Sequence, residues 1–115
     1  MIDIEQALIA YLSKALGVQV FAEAPKDRPK EFITVERLGG SSENYVIDYP
    51  MVAIQCWDKS RSKASAFAYE ADKALQDITA HNRAVAFAKR NSMYNFPDPD
   101  SKQPRYQLVY DFVTR

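Results

Sequence analysis

The sequence predicts an α+β fold, a mainly antiparallel sheet with two helices packed on it. Three observations carry that expectation. Two separated windows repeat apolar residues at helical spacing, five others read as strands, and most of those strands follow one another directly. The expected order is α-β-β-β-α-β-β in one domain spanning residues 1–115, a length with room for a single core. A chain of this size buries roughly 65% of its unfolded surface, enough to fold without disulfides or metal.

The first helix is announced by its ends. Asp3 is placed to cap it, with Gln6 reaching back in a capping-box pattern, and Gly17 is placed to stop it. Between them Ile4, Leu8, Tyr11, Leu12 and Ala15 fall on one face. "VQVFAEAP" (residues 18–25) reads as a short strand ended by Pro25, and "PKDRPKE" as an exposed connection.

"FITVERL" (residues 32–38) is aromatic and β-branched, hence a strand, and "GGSSENY" is the expected turn after it. The strand "YVIDYPMVAIQCW" follows, with Val52, Ile54 and Cys56 on one face and Met51, Ala53, Gln55 and Trp57 on the other. Pro50 lacks a ladder donor and belongs at a bulge or an unpaired position. Ala64, Phe67, Ala68, Ala71, Leu75 and Ile78 then mark the second helix, from Ser60 to about Thr79, with Ser60 or Ser62 as its cap. Two last strands are expected at residues 83–90 and 105–114. A long proline-bearing loop, "NSMYNFPDPDSKQP", is expected between them.

Composition excludes several functions. Fifteen basic and fifteen acidic residues cancel, so no global field recruits nucleic acid or a membrane. The one cysteine, Cys56, has no partner for an internal disulfide, and no signal peptide is recognised, so cytosolic synthesis is expected. No apolar run reaches the roughly 20 residues of a spanning helix.

Specific chemistry is equally sparse. Gly39 and Gly40 lack the lysine and following helix of a phosphate loop. One histidine and one cysteine make a poor start to a metal site, and the acidic turn at Asp98 and Asp100 reads as a turn. Cys56 sits on the apolar face of its strand, where burial makes a thiol inert, and His81 reads as a cation near a helix C-terminus. No carboxylate pair stands out by spacing for acid–base work. The expectation is therefore no enzyme, with no catalytic residues, no cofactor and no metal.

Two features invite a binding reading. Trp57 ends its strand and is expected beneath the following helix or at an interface. Arg83, Lys89 and Arg90 give one strand region a charge of +3 with no acid between Arg83 and Asn95. This is either a solvated sheet edge, where basic residues discourage unwanted pairing, or a patch facing DNA or a partner.

Taken together, "RP" followed by "FITVERLGG" (residues 28–40) and "QCWDKSRSKASAFA" (residues 55–68) resemble the tail terminator, or tail completion, proteins of tailed phages and prophages. The similarity includes the N-terminal helix and the closing aromatic strand, and so spans most of the chain. It implies a structural, non-enzymatic, head–tail joining protein of the virion neck, synthesised in the bacterial host cytoplasm. Its members form a ring of about six subunits on the finished tail tube, with a heterologous interface between copies. The implied partners are further copies of the chain, the tail tube protein and the head connector, with DNA only in transit and no membrane.

Candidate contact residues follow. The hairpin tip supplies Ser41, Ser42, Glu43, Asn44 and Tyr45, and the long loop supplies Tyr94, Asn95 and Phe96, mixtures of tyrosine and small polar groups suited to adaptable contacts. Arg37 and Trp57 complete that set, and Arg83, Lys89 and Arg90 are the candidates for partner acids or passing DNA. Rival readings are another neck protein, a small nucleic-acid-binding domain whose affinity falls steeply with salt, and a small carboxylate enzyme.

Overall fold

The computed structural model describes residues 1–115. Helix α1 (Ile4–Leu16) begins where the Asp3 carboxylate accepts from the backbone of Glu5 and Gln6. It ends where Gly17 turns left-handed at φ 64° and donates to the Ser13 carbonyl. Strands β1 (Gln19–Phe21), β2 (Phe32–Glu43) and β3 (Ile47–Trp57) follow, then helix α2 (Arg61–Gln76), a 3-10 turn at Ile78–Ala80, and strands β4 (Val85–Asn95) and β5 (Arg105–Thr114). Ser60 caps α2 by accepting from the Lys63 amide.

The expected α+β order is therefore the observed one. The five strands form a single sheet ordered β1-β2-β3-β5-β4, antiparallel throughout except for the β1–β2 pair. Parallel neighbours need a crossover, and residues 22–31 provide it without a helix.

Both helices lie on one side of the sheet. Ile4, Leu8 and Leu12 from α1 and Phe67, Ala68, Ala71 and Leu75 from α2 share one core with Val35, Ile54, Leu108, Tyr110 and Phe112. Alanines at 64, 68 and 71, all fully buried, bring α2 close to the strands. The other side of the sheet carries no helix.

Two boundaries differ from expectation. The pair Gly39–Gly40 is not the hairpin turn: β2 continues to Glu43, and a bulge between Arg37 and Gly39 absorbs the glycines within the strand. Gly40 stands opposite Pro50, and β3 forms no registered pair with β5 between Asp48 and Met51. The proline thus sits where no ladder bond is required of it. The second difference is in β4, which runs on to Asn95 through a bulge between Arg90 and Ser92. The expected long loop shrinks to residues 96–104.

Candidate functional site

The helix-free face of the sheet holds most of the chain's unassigned chemistry. Residues at odd positions of β3 and β5 point to it, and five side chains there are joined across the strands by hydrogen bonds. The Trp57 indole Nε1–H donates to Thr34 Oγ1 (3.0 Å), and that hydroxyl donates to Gln55 Oε1 (2.7 Å). Gln55 Nε2 donates to Gln107 Oε1 (2.8 Å), and Gln107 Nε2 to the Tyr94 hydroxyl. This ladder crosses β2, β3, β5 and β4 in turn. It satisfies the polar groups of a face that is otherwise partly apolar, and Thr34 and Gln107 are both buried within it.

At one end of the ladder lies an aromatic and cationic stack. Trp57 packs on Phe32 with ring centroids 5.0 Å apart and nearly parallel planes. Arg28, from the crossover, and Arg105, from β5, place their guanidinium carbons 5.1 and 4.8 Å from the indole centroid. Arg105 also lies 4.5 Å from the Phe96 ring centroid, and its Nε donates to the Phe96 carbonyl at 2.7 Å. Trp57 is thus buried, but on the face opposite the expected one: α2 covers Cys56, its neighbour. Enclosed by its own chain at 2% exposure, the indole is part of the fold and not a free contact surface.

The loop between β4 and β5 is held in shape by Asp98. Its Oδ2 accepts from the Ser101 amide and hydroxyl and from Arg28 Nη1. Hydrogen bonds from Ser101, and then Arg28, bring this carboxyl down to about 2. The acidic turn at Asp98 and Asp100 is thus organised by protein donors.

The hairpin tip is the other exposed feature. Asn44 and Tyr45 take positive φ angles of 54° and 59°, and the Val46 amide donates to the Glu43 carbonyl (3.2 Å). Two consecutive positive φ values are the signature of a tight primed turn. Tyr45 is 91% exposed, and Val46 beside it is also exposed. Ser41, Ser42 and Glu43 lie in the strand leading to this turn, all exposed, and Glu43 accepts from the Tyr49 hydroxyl.

The remaining expected contact residues divide. Tyr94 and Asn95 belong to β4 and not to a loop; Tyr94 is tied to Gln107 and meets Phe96 edge-on at 5.8 Å. Phe96 begins the loop and is half-exposed. Arg37 is not a free cation, because both terminal nitrogens bond Asp48, at 2.6 and 2.8 Å, and its Nε bonds the Gly39 carbonyl.

The basic strand does not form a patch. Alternation along β4 separates its charges: Lys89 lies opposite Asp111 on the helix-free side, while Arg90 reaches under α2 to Asp72 (3.1 Å). Arg83 lies before the strand, exposed. β4 is an edge strand, as the solvated-edge reading requires.

Two residues that sequence reasoning missed are Asp72 and Arg105. Asp72 interrupts the alanine stripe of α2 and accepts from Gln76, Arg90 and the Tyr110 hydroxyl, tying α2 to β4 and β5. Its spacing, four residues before Gln76 and one after Ala71, was the available signal. Arg105 carried no signal beyond opening a strand. Cys56 is buried with its thiol pushed well above the ordinary range by burial, which suits the inert role expected of it. No group of three or more His, Cys, Asp or Glu side chains is arranged to hold a metal.

No protein-family model and no curated protein sequence matches this chain.

Proposed function

We propose that this protein is a tail terminator or completion protein, a non-enzymatic subunit that closes into a ring on a phage tail tube and joins it to the head connector. The reading rests first on the resemblance of residues 28–40 and 55–68 to that family. The observation that carries it in the folded chain is the β2–β3 hairpin, which presents Tyr45 at 91% exposure on a turn that ordinary packing does not explain. An exposed aromatic held in a disfavoured conformation points to selection for contact.

Other features suit a ring subunit. One sheet face is free of helices, and one sheet edge, β4, is unpaired. These offer two different surfaces, as a heterologous contact between neighbouring copies needs. The separation of Lys89 from Arg90 weighs against the nucleic-acid-binding alternative, which needs basic groups on one surface.

Native mass spectrometry across a wide concentration range, paired with elongation of purified tail tube protein, tests the reading. A closed ring of about six copies, or arrest of tube growth at substoichiometric amounts, is expected. A chain that stays monomeric at all concentrations and leaves tube growth unchanged overturns it.

A further inference from the structure

Three arginines are each paired with a carboxylate. Arg28 pairs with Asp98 at 3.3 Å, Arg37 with Asp48 at 2.6 Å and Arg90 with Asp72 at 3.1 Å. Arg105 differs from them. It is 8% exposed, more deeply buried than any of them, and has no carboxylate partner. Its Nε is committed to the Phe96 carbonyl, and its plane is fixed between Trp57 and Phe96. The terminal nitrogens donate no hydrogen bond to the chain.

Arg105 lines an open pocket of about 300 Å³ on the helix-free sheet face. Arg28, Thr34, Gln55, Trp57 and Asp98 help to line it. Glu23 and Glu36, both exposed, line it too, and the Glu36 carboxylate attracts Arg105 without pairing with it. Asp98 is occupied by Ser101 and Arg28. A guanidinium with its flanks stacked and its outer edge unfilled is preorganised for a planar, two-oxygen acceptor. Burial, with the neighbouring charge of Arg28, draws this guanidinium below its ordinary pKa against the pull of Asp98 and Glu36.

We infer that the Arg105 pocket receives one carboxylate from a partner protein, an Asp or Glu side chain seated bidentately on the terminal nitrogens of Arg105. A protein is the source because the pocket is open to solvent, lined by Ala22, Glu23, Ala24 and Arg28 of the crossover and by Asp98 of the β4–β5 loop, on a sheet face with no helix over it. Such a site admits a side chain projecting from an apposed surface. Half-exposed Phe96 and Tyr94 beside it extend the contact. The inference stands apart from the ring reading, since the partner is defined by its carboxylate alone.

Trp57 is the only tryptophan, so its indole N–H resonance reports this pocket without ambiguity. Uniformly 15N-labelled protein is titrated with N-acetyl-glutamate α-amide, with the matching glutamine compound, and with acetate. The glutamate compound is expected to shift the Trp57 signal saturably while the glutamine compound does not. Acetate is expected to bind more weakly, lacking the peptide framework. Arg105→Lys, which keeps the charge but loses the fork, is expected to weaken binding about tenfold, the loss of one charge-assisted hydrogen bond. Equal response to the glutamate and glutamine compounds in the wild-type chain overturns the inference whatever the variant does. Acetate binding as tightly as the glutamate compound overturns the protein source and leaves a small free carboxylate as the ligand.

Discussion

Arg37 and Asp48 clamp the neck of the β2–β3 hairpin from opposite strands, with two parallel bonds of 2.6 and 2.8 Å. Asp48 is 5% exposed, so the guanidinium is what makes its charge tolerable there. The Arg37 amide also donates to Glu5 of α1 at 2.7 Å, which fastens the hairpin base to the helix layer. A residue first read as reaching outward to partners is thus an internal brace.

Arg37→Ala strands the Asp48 carboxylate and is expected to cost about 2 kcal/mol, reduced from the fully buried case because the arginine is itself partly exposed. The hydrogen bond from Arg37 lowers the Asp48 pKa below its ordinary value. For a carboxylate depressed by folding, the stabilisation is complete above the unfolded pKa of about 3.9. It is lost as pH falls through the folded value. Urea unfolding of both chains at pH 7 and again near pH 3 checks this. The gap between wild type and variant is expected to narrow in acid, and a constant gap would refute the ion-pair account.

Gly40 takes φ 116°, and a Cβ built there would overlap the Tyr49 carbonyl oxygen. Gly40→Ala is therefore expected to destabilise by at least about 2 kcal/mol, from strain and a backbone clash that no side-chain movement relieves. Gly39, at φ 154° with nothing near its Cβ position, is the control. Gly39→Ala carries the backbone strain without the clash and is expected to cost less than Gly40→Ala, about 1–2 kcal/mol. Thermal melts of the two variants measure the difference, and equal losses would show that the clash at Gly40 is relieved.

The glycine pair also shows where sequence reading reached its limit. Helix ends were legible because Asp3, Gly17 and Ser60 act through local bonds within a few residues. Strand faces were legible too, since the alternation of Leu108, Tyr110 and Phe112 follows from burial on one side. Glycines, however, serve turns and bulges alike, and the choice between them depended on the partner strand bringing Pro50 opposite Gly40. Likewise the fate of Trp57 turned on Arg28 and Arg105, neither adjacent to it in sequence. The candidate site is built almost wholly from such distant pairs, and single-strand patterns do not encode them.

Arg90 and Lys89 separate an internal tie from a surface charge. Arg90 Nη1 bonds Asp72 Oδ2 at 3.1 Å beneath α2, whereas Lys89 is exposed on the other face. Arg90→Ala is expected to lower stability by about 1–2 kcal/mol by removing one donor from a buried carboxylate. Lys89→Ala is expected to stay within about 0.5 kcal/mol. Guanidinium chloride titrations distinguish them. A matched effect of the two changes would mean that the Asp72 tie contributes nothing.

Tyr45 supplies the sharpest separation of stability from assembly. A bulky side chain at φ 59° is costly, and the turn places it second in an Asn-initiated pair, where glycine is the preferred residue. Tyr45→Gly removes that strain, although glycine's freer unfolded chain offsets part of the gain. The variant is expected to be as stable as the parent or more stable, by up to about 1 kcal/mol. If the exposed ring exists for contact, the same variant is expected to lose ring formation or tube arrest. Parallel urea unfolding and native mass spectrometry read the two effects on one sample. A more stable chain that assembles undiminished would remove the hairpin tip from the interface. A destabilised chain would show that the Tyr45 ring supports the fold.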